Sequence, residues 1–319
     1  MSHPLSVALA GSTSHTVQIA NALADDAHFV IPWVLTPAPK KIGRKQVLTP
    51  NRLHDWAAQR QLPVIQVQSK IDADIREQIE VQPSGTPDFL LVVDFGYLVP
   101  KWLLDWPKIA PLNIHPSLLP RWRGSSPAQF TLLYGEKNSA VTLMKMGEGL
   151  DTGPLIYQLP LVVEPSWTQA EYYHQSFAKM GEVLSEKIAA FAAGTLTPTD
   201  QPQNSPTPMA RRFEREDGLV GWTDLQAAVE GTSQNFVPQS PTSSLLQDVF
   251  AQTRHWPQVV ERAIRALSPW PGIWTISPPQ QGNKRLKILT AHLTTAGLLQ
   301  LDKIQWEGEQ PSSGENVKF

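Results

Sequence analysis

The sequence predicts an α/β protein built on a parallel sheet, followed by a smaller β-rich domain. Three observations carry this. The first two hundred residues alternate short apolar runs with longer segments of helical periodicity, the pattern of βαβ units. The uninterrupted apolar run Phe89–Val93 suits a strand covered on both faces, as parallel sheets require. A proline-dense stretch, Thr195–Pro208, then separates these units from strand-like runs nearer the C-terminus. With 319 residues, 41% of them hydrophobic and 18% charged, the chain is long enough for two domains.

In order, Leu5–Ala10 reads as a buried first strand ending in a turn at Gly11, with Thr16–Ala24 as the helix that follows. The same opening is a poor signal peptide, because no basic segment precedes it and polar Ser12–His15 follow at once. Further strands are expected at Phe29–Leu35, Pro63–Val67, Phe89–Val93, Leu112–His115, Val141–Met146 and Leu155–Leu161. Trp167–Ala193 is the strongest helix, with Ser166 as its expected cap and Gly194 as its stop. The expected domains are 1–194, a Pro-rich linker 195–208, and 209–319. In the last of these, 231–244 reads as a polar surface loop, Val259–Leu267 as an amphipathic helix, and 269–272 as a Pro-Trp-Pro-Gly turn. Strand-like runs follow at 273–276, 286–291 and 298–304.

Composition excludes several classes of function. Twenty-seven Lys and Arg against 29 Asp and Glu give a formal charge of −2, so a nucleic-acid partner would have to be held by a local patch. The absence of cysteine removes disulfides, thiolate nucleophiles and Cys-ligated metals. No stretch approaches the roughly 18 to 20 apolar residues of a membrane helix, so a soluble protein is expected.

The chemistry concentrates in Leu112–Gly124, Leu-Asn-Ile-His-Pro-Ser-Leu-Leu-Pro-Arg-Trp-Arg-Gly. On an extended strand Asn113 and His115 share one face while Ile114 points to the other. Pro116 should end the strand, placing the pair at a carboxyl edge, where open α/β sheets bind ligands. A capping Asn and a satisfied core His would also explain the pair taken alone. Downstream, Gly147-Glu-Gly-Leu-Asp-Thr-Gly-Pro154 holds Asp151 in a loop whose glycines permit tight turns, although an ordinary turn aspartate fits as well. The set lacks a hydroxyl or thiol nucleophile, so direct acyl transfer to an external amine is more natural than a covalent enzyme intermediate. Asn113 would donate to an oxyanion, His115 would donate or shuttle a proton, and Asp151 would orient the imidazole and favour its charged form.

Asn113–Pro120 together with Gly149-Leu-Asp-Thr-Gly153 resembles the signature of the folate-dependent formyltransferases. Within them, Leu119–Pro127 and Ser268-Pro-Trp-Pro-Gly272 resemble the methionyl-tRNA formyltransferase branch, and the likeness covers almost the whole chain. The resemblance implies a doubly wound, Rossmann-like catalytic domain and a smaller OB-like β-barrel that contacts tRNA. It implies formyl transfer from 10-formyltetrahydrofolate to the amino group of methionine on initiator tRNA, with Asn113, His115 and Asp151 catalytic and no metal. By carry-over the folate is lined by Phe95, Gly96, Tyr97, Leu98, Ser117, Leu118, Leu119, Pro120 and Gly149. The window from Lys40 to Arg52 has five basic residues and no acid, and relatives use a basic insertion there for the acceptor end. Lys40, Lys41, Arg44, Lys45 and, in the second domain, Arg212 are therefore the expected tRNA contacts, on a cytoplasmic monomer.

Three positions depart from the family pattern. Gly11-Ser12-Thr13-Ser14 replaces its usual Gly-Thr-Pro, and Asp94 stands where a small apolar residue is usual. Arg212 also replaces a common lysine. From Thr207 onward 11 basic residues balance 11 acidic ones, so the second domain offers RNA only local charge. The competing readings are a formyltransferase acting on a nucleotide-linked amino sugar and a non-catalytic tRNA-binding protein. The first has little use for Lys40–Lys45, and the second leaves the Asn/His/Asp set unexplained. A dinucleotide oxidoreductase is excluded, because Gly11–Ser14 lacks the Gly-x-Gly-x-x-Gly spacing.

Overall fold

A computed structural model describes residues 3–43, 45–231 and 233–319. The N-terminal half runs β1 (Leu5–Gly11), α1 (Ser14–Ala24), β2 (Phe29–Val30), β3 (Val34–Pro37), β4 (Lys40–Ile42), β5 (Val47–Thr49) and α2 (Arg52–Gln59). It continues through β6 (Val64–Val67), α3 (Ala73–Glu80), β7 (Phe89–Val93), α4 (Lys101–Leu104) and β8 (Ala110–His115). Then come α5 (Pro127–Tyr134), β9 (Asn138–Lys145), β10 (Leu155–Val162) and α6 (Gln169–Ala192). The remainder holds α7 (Trp222–Glu230), α8 (Ser244–Thr253), α9 (Trp256–Leu267), β11 (Ile273–Ile276), β12 (Arg285–Leu293), β13 (Leu299–Trp306) and β14 (Ser312–Ser313).

The main sheet has the order β10-β9-β8-β7-β1-β3-β6, with β2 paired to β1. β1, β3, β6, β7 and β8 are parallel to their neighbours in that set, and β9 runs antiparallel to β8. The chain steps outward from β1 to β3 and β6, then returns to β7 and β8 on the other side. That reversal opens a crevice at the carboxyl ends of β1 and β7. Every residue of β7 is buried, as its apolar run requires. The expected strand Phe29–Leu35 is interrupted, because Pro32 has no N–H for the ladder and splits it into β2 and β3.

The cap of α6 lies two residues beyond the expected Ser166. Thr168 N donates to Glu171 Oε2 at 2.7 Å and Glu171 N donates to Thr168 Oγ1 at 3.3 Å, the reciprocal pair of a Thr-x-x-Glu capping box. The stop is Gly194, at φ +71°.

Two compact units emerge. One comprises 1–123, 139–161 and 173–209, and the other 124–138, 162–172 and 210–319. The stretch read as a linker lies within the first unit, where Thr199 exchanges backbone hydrogen bonds with Leu155. The second unit carries an antiparallel sheet, β11-β12-β13-β14, and more helix than its strand-like runs suggest, since α7 and α8 were not anticipated. The polar segment 231–244 is pinned to α7: Asp224 accepts from Gln239 N at 2.9 Å and from the Thr242 hydroxyl, and Ser243 caps α8.

Arg211 clasps Asp217 through both carboxylate oxygens at 2.7 Å each, and Glu214 N adds a third bond at 2.7 Å. Burial raises the Asp217 pKa, but these donors outweigh it and hold the carboxyl below the ordinary aspartate value. A depressed folded pKa contributes stability above the unfolded value of about 3.9, lost as pH falls through the folded one. Asp217→Asn should therefore lower the denaturant midpoint at pH 7 and make the acid decline of that midpoint shallower. Parallel wild-type and mutant slopes between neutral and acid pH would contradict this.

Candidate active site

β8 delivers two polar side chains to its carboxyl end by simple alternation: Ile114 is buried on one face while Asn113 and His115 share the other. Asn113 Nδ2 donates to Val92 O on neighbouring β7 at 3.1 Å. This fixes the amide, since a flip would set two carbonyl-type oxygens against each other. It leaves Asn113 Oδ1 buried and, among the described residues, without a hydrogen-bond partner. Such an orphan costs roughly 1–3 kcal/mol unless a ligand supplies a donor.

His115 is 5% exposed. Its Nε2 lies 3.0 Å from Trp122 O. A carbonyl only accepts, so Nε2 carries the hydrogen and Nδ1 is the working nitrogen. Asp151 Oδ2 stands 3.6 Å from Nδ1, too far for a hydrogen bond and close enough for ion pairing. The orientation of the ring is thus set by Trp122 O, with Asp151 facing the opposite nitrogen as a charge.

The Asp151 loop is itself braced. Gln201 Nε2 donates to Asp151 O at 3.0 Å and to Gly153 O at 2.7 Å. Gln201 Oε1 accepts from Arg123 Nη2 at 2.9 Å, and Arg123 also donates to Pro202 O and Gln203 O. Arg123, 5% exposed, thus sits among polar partners that accept from four of its five N–H groups. Asp94, Trp122 and Asp151 all have φ near +50°, at 48°, 55° and 52°. Left-handed backbone is uncommon for a residue as bulky as tryptophan, and its concentration around one crevice marks a site held in place by its surroundings.

The other expected site residues divide. Phe95 and Tyr97 pack against the core beneath the sheet's edge with their rings 5.3 Å apart, and Gly96 between them has open space where a Cβ would stand. Leu98 is 88% exposed and Leu118 is partly exposed. Ser117 and Leu119 are buried, and the Ser117 hydroxyl donates to Arg121 O at 2.7 Å. These two therefore shape the turn after β8 and do not turn their side chains outward. Pro120 is half-buried and its carbonyl accepts from Ser205 Oγ, while Gly149 lies in the exposed loop before Asp151. Lys40 and Lys41 lie on β4, which pairs with β5 in an exposed hairpin, and Lys45 lies in its turn. Arg44 falls outside the described residues. Arg212 is exposed in the second unit.

A profile of the formyl transferase family matches residues 5–188. A methionyl-tRNA formyltransferase of Bartonella henselae is 30% identical over 302 residues, spanning 94% of this chain and 86% of its own length. One from Anaeromyxobacter dehalogenans is 33% identical over 232 residues, 73% of each chain. The chain belongs to the methionyl-tRNA formyltransferase family. Solved formyltransferases share the fold. A methionyl-tRNA formyltransferase from Clostridium thermocellum superposes with a TM-score of 0.54 at 15% identity, covering 95% of this chain and 98% of that one. An N-formyltransferase from Helicobacter canadensis, solved with folinic acid and dTDP-3-aminofucose, gives 0.57 at 17% identity over 91% and 88%.

Three residues of this formyltransferase site were not assigned roles from sequence: Trp122, Arg123 and Gln201. Trp122 acts through its carbonyl, which every residue has, so nothing in its side chain signals it. Arg123 gave a clue, as one of two arginines in a turn rich in apolar residues and prolines. Gln201 lies 78 residues from Arg123 in an apparently featureless Pro-rich stretch.

Proposed function

We propose that this formyltransferase transfers the formyl group of 10-formyltetrahydrofolate to the α-amine of methionine on initiator tRNA, through Asn113, His115 and Asp151. The observation that carries the reading is the convergence at the end of β8 of an orphaned amide oxygen, an imidazole fixed from behind and a carboxylate. The donor supplies an activated one-carbon acyl group, and the loop Phe95-Gly96-Tyr97-Leu98, with its open backbone at Gly96, suits a flat ring.

The residues divide the work as follows. Asn113 Oδ1 accepts an N–H of the incoming amine and aligns its lone pair with the formyl carbon. The second hydrogen of Asn113 Nδ2 donates to the oxygen as that carbon turns tetrahedral. His115 Nδ1 takes the proton that the amine gives up, and Asp151 stabilises the resulting imidazolium across 3.6 Å. The same Nδ1–H then donates to the departing nitrogen as the carbon–nitrogen bond to the folate breaks, which restores neutral His115.

The first domain, 1–194, would hold this chemistry, with 195–208 packed on it through Gln201 and leading to a tRNA-contacting domain, 209–319. The enzyme would act as a monomer in the cytoplasm, where translation supplies charged tRNA. Lys40, Lys41 and Lys45 would contact acceptor phosphates from the hairpin, and Arg44 and Arg212 are assigned the same role from the sequence. Each lost phosphate contact lowers the salt dependence of binding by about 0.7–0.9 log units. Lys41→Ala with Lys45→Ala should thus weaken tRNA binding and flatten its salt slope by about 1.5, and an unchanged slope would remove the hairpin from the interface.

The reading is tested by incubating the protein and 10-formyltetrahydrofolate with charged initiator tRNA, charged elongator tRNA and an amino-sugar nucleotide in parallel. Formylation of the initiator alone is expected. Formylation of the sugar alone would overturn the substrate assignment.

A further inference from the structure

Two of the positions at which the sequence departs from the family pattern, the 11–14 segment and Asp94, meet at the carboxyl ends of β1 and β7. Ser12 Oγ donates to Asp94 O at 3.4 Å, and Thr16 Oγ1 donates to Val93 O at 2.8 Å. Between them, His15 Nδ1 lies 3.3 Å from Asp94 Oδ2. A carboxylate only accepts, so Nδ1 carries the hydrogen and Nε2 presents a lone pair. The His15 ring is stacked on Phe177 of α6, with centroids 5.1 Å apart and planes 13° apart, and on Tyr173 at 5.4 Å and 30°. Ring and carboxylate together remove the freedom to swing. The His15 side chain remains 20% exposed and Asp94 44%. Among the described residues Nε2 has no hydrogen-bond partner.

We propose that His15 is a specificity-determining residue on the acceptor side, its Nε2 accepting a hydrogen bond from the free hydroxyl of the ribose that carries the amino acid. The proposal rests on the formyl-transfer reading above. An anion is the wrong occupant, because Asp94 stands beside the ring with its own negative charge. A neutral hydroxyl is the right one, because the lone pair of Nε2 can only accept.

The spacing agrees. β1 and β8 flank β7, so their ends lie about two strand separations, roughly 10 Å, apart. An ester link from an α-amine over β8 to the neighbouring ribose hydroxyl spans roughly 7 Å, and one hydrogen bond of about 3 Å completes the distance. A ribose hydroxyl is also the group by which a protein distinguishes RNA from DNA at a given nucleotide.

The test uses charged initiator tRNA ending either in adenosine or in 2′-deoxyadenosine, with wild type, His15→Ala and His15→Gln. In wild type the deoxy terminus should raise the acceptor KM about tenfold, the worth of one ligand hydrogen bond. The kcat and the KM for 10-formyltetrahydrofolate should stay unchanged. His15→Ala should raise the acceptor KM similarly on the adenosine terminus and show no further loss on the deoxy one. Glutamine, whose amide oxygen also accepts, should restore most of the difference. Equal KM values for the two termini in wild type, a comparison that needs no variant, would overturn the role, as would penalties that multiply in His15→Ala. Wild type that turns over neither tRNA but formylates an amino-sugar nucleotide would overturn the formyl-transfer reading itself. Turnover of both tRNAs with no discrimination removes His15 alone.

Discussion

His115→Ala is expected to lower kcat by two to three orders of magnitude or more while leaving the fold intact. The imidazole is the group that takes and returns the proton in this mechanism, and removal of a single transition-state donor elsewhere typically costs about 3 kcal/mol. The structural cost is smaller. Trp122 O loses its donor, and the buried ring leaves a gap that solvent can enter from the crevice, for a loss of roughly 1–3 kcal/mol. Single-turnover formylation with a saturating donor measures the first quantity, and denaturant unfolding measures the second. Asp151→Asn should nearly match the alanine variant in rate, because it removes the charge that stabilises the imidazolium while keeping the side chain's shape. Near-wild-type turnover by a folded variant of either kind would dismiss the proton-transfer role.

Gly153→Ala should be the most damaging small substitution in the catalytic loop. A Cβ there would stand 1.9 Å from Lys145 O, a backbone atom. Lys145 N is at the same time bonded to Pro154 O at 2.9 Å, so the strand cannot back away without giving up that bond. Overpacking of this kind costs about 1–3 kcal/mol. The strain falls two residues from Asp151, where a displacement near 1 Å can cost about a hundredfold in rate. Gly147→Ala is the control, since nothing lies within 4 Å of its added carbon. Equal rates for the two alanine variants would show that the loop adapts freely.

Much of the scaffold was legible because its signals are local. Phe89–Val93 announces a doubly covered strand, and the Asn-x-His alternation before a proline places two side chains on one face at an edge. Asp151 was legible from its glycine-bracketed loop and the family resemblance, although its distance from Nδ1 was not. Ser166 was a plausible cap until the Thr168–Glu171 pair, which uses two side chains, outcompeted it. α8 escaped notice because its apolar residues Leu245, Leu246, Val249 and Phe250 follow directly on a polar run read as a single loop. The partners that hold the site together could not be read at all. Hydrogen bonds from Gln201 to backbone carbonyls some fifty residues away depend on the completed tertiary structure.

Gln201 gives the Pro-rich stretch an importance that its composition conceals. A protease that nicked the chain between 199 and 203 would remove no reacting group, yet it would release the amide that grips both the Asp151 and Gly153 carbonyls. The severed enzyme would keep its whole catalytic inventory and fall silent, with Arg123 left stranded in the interior.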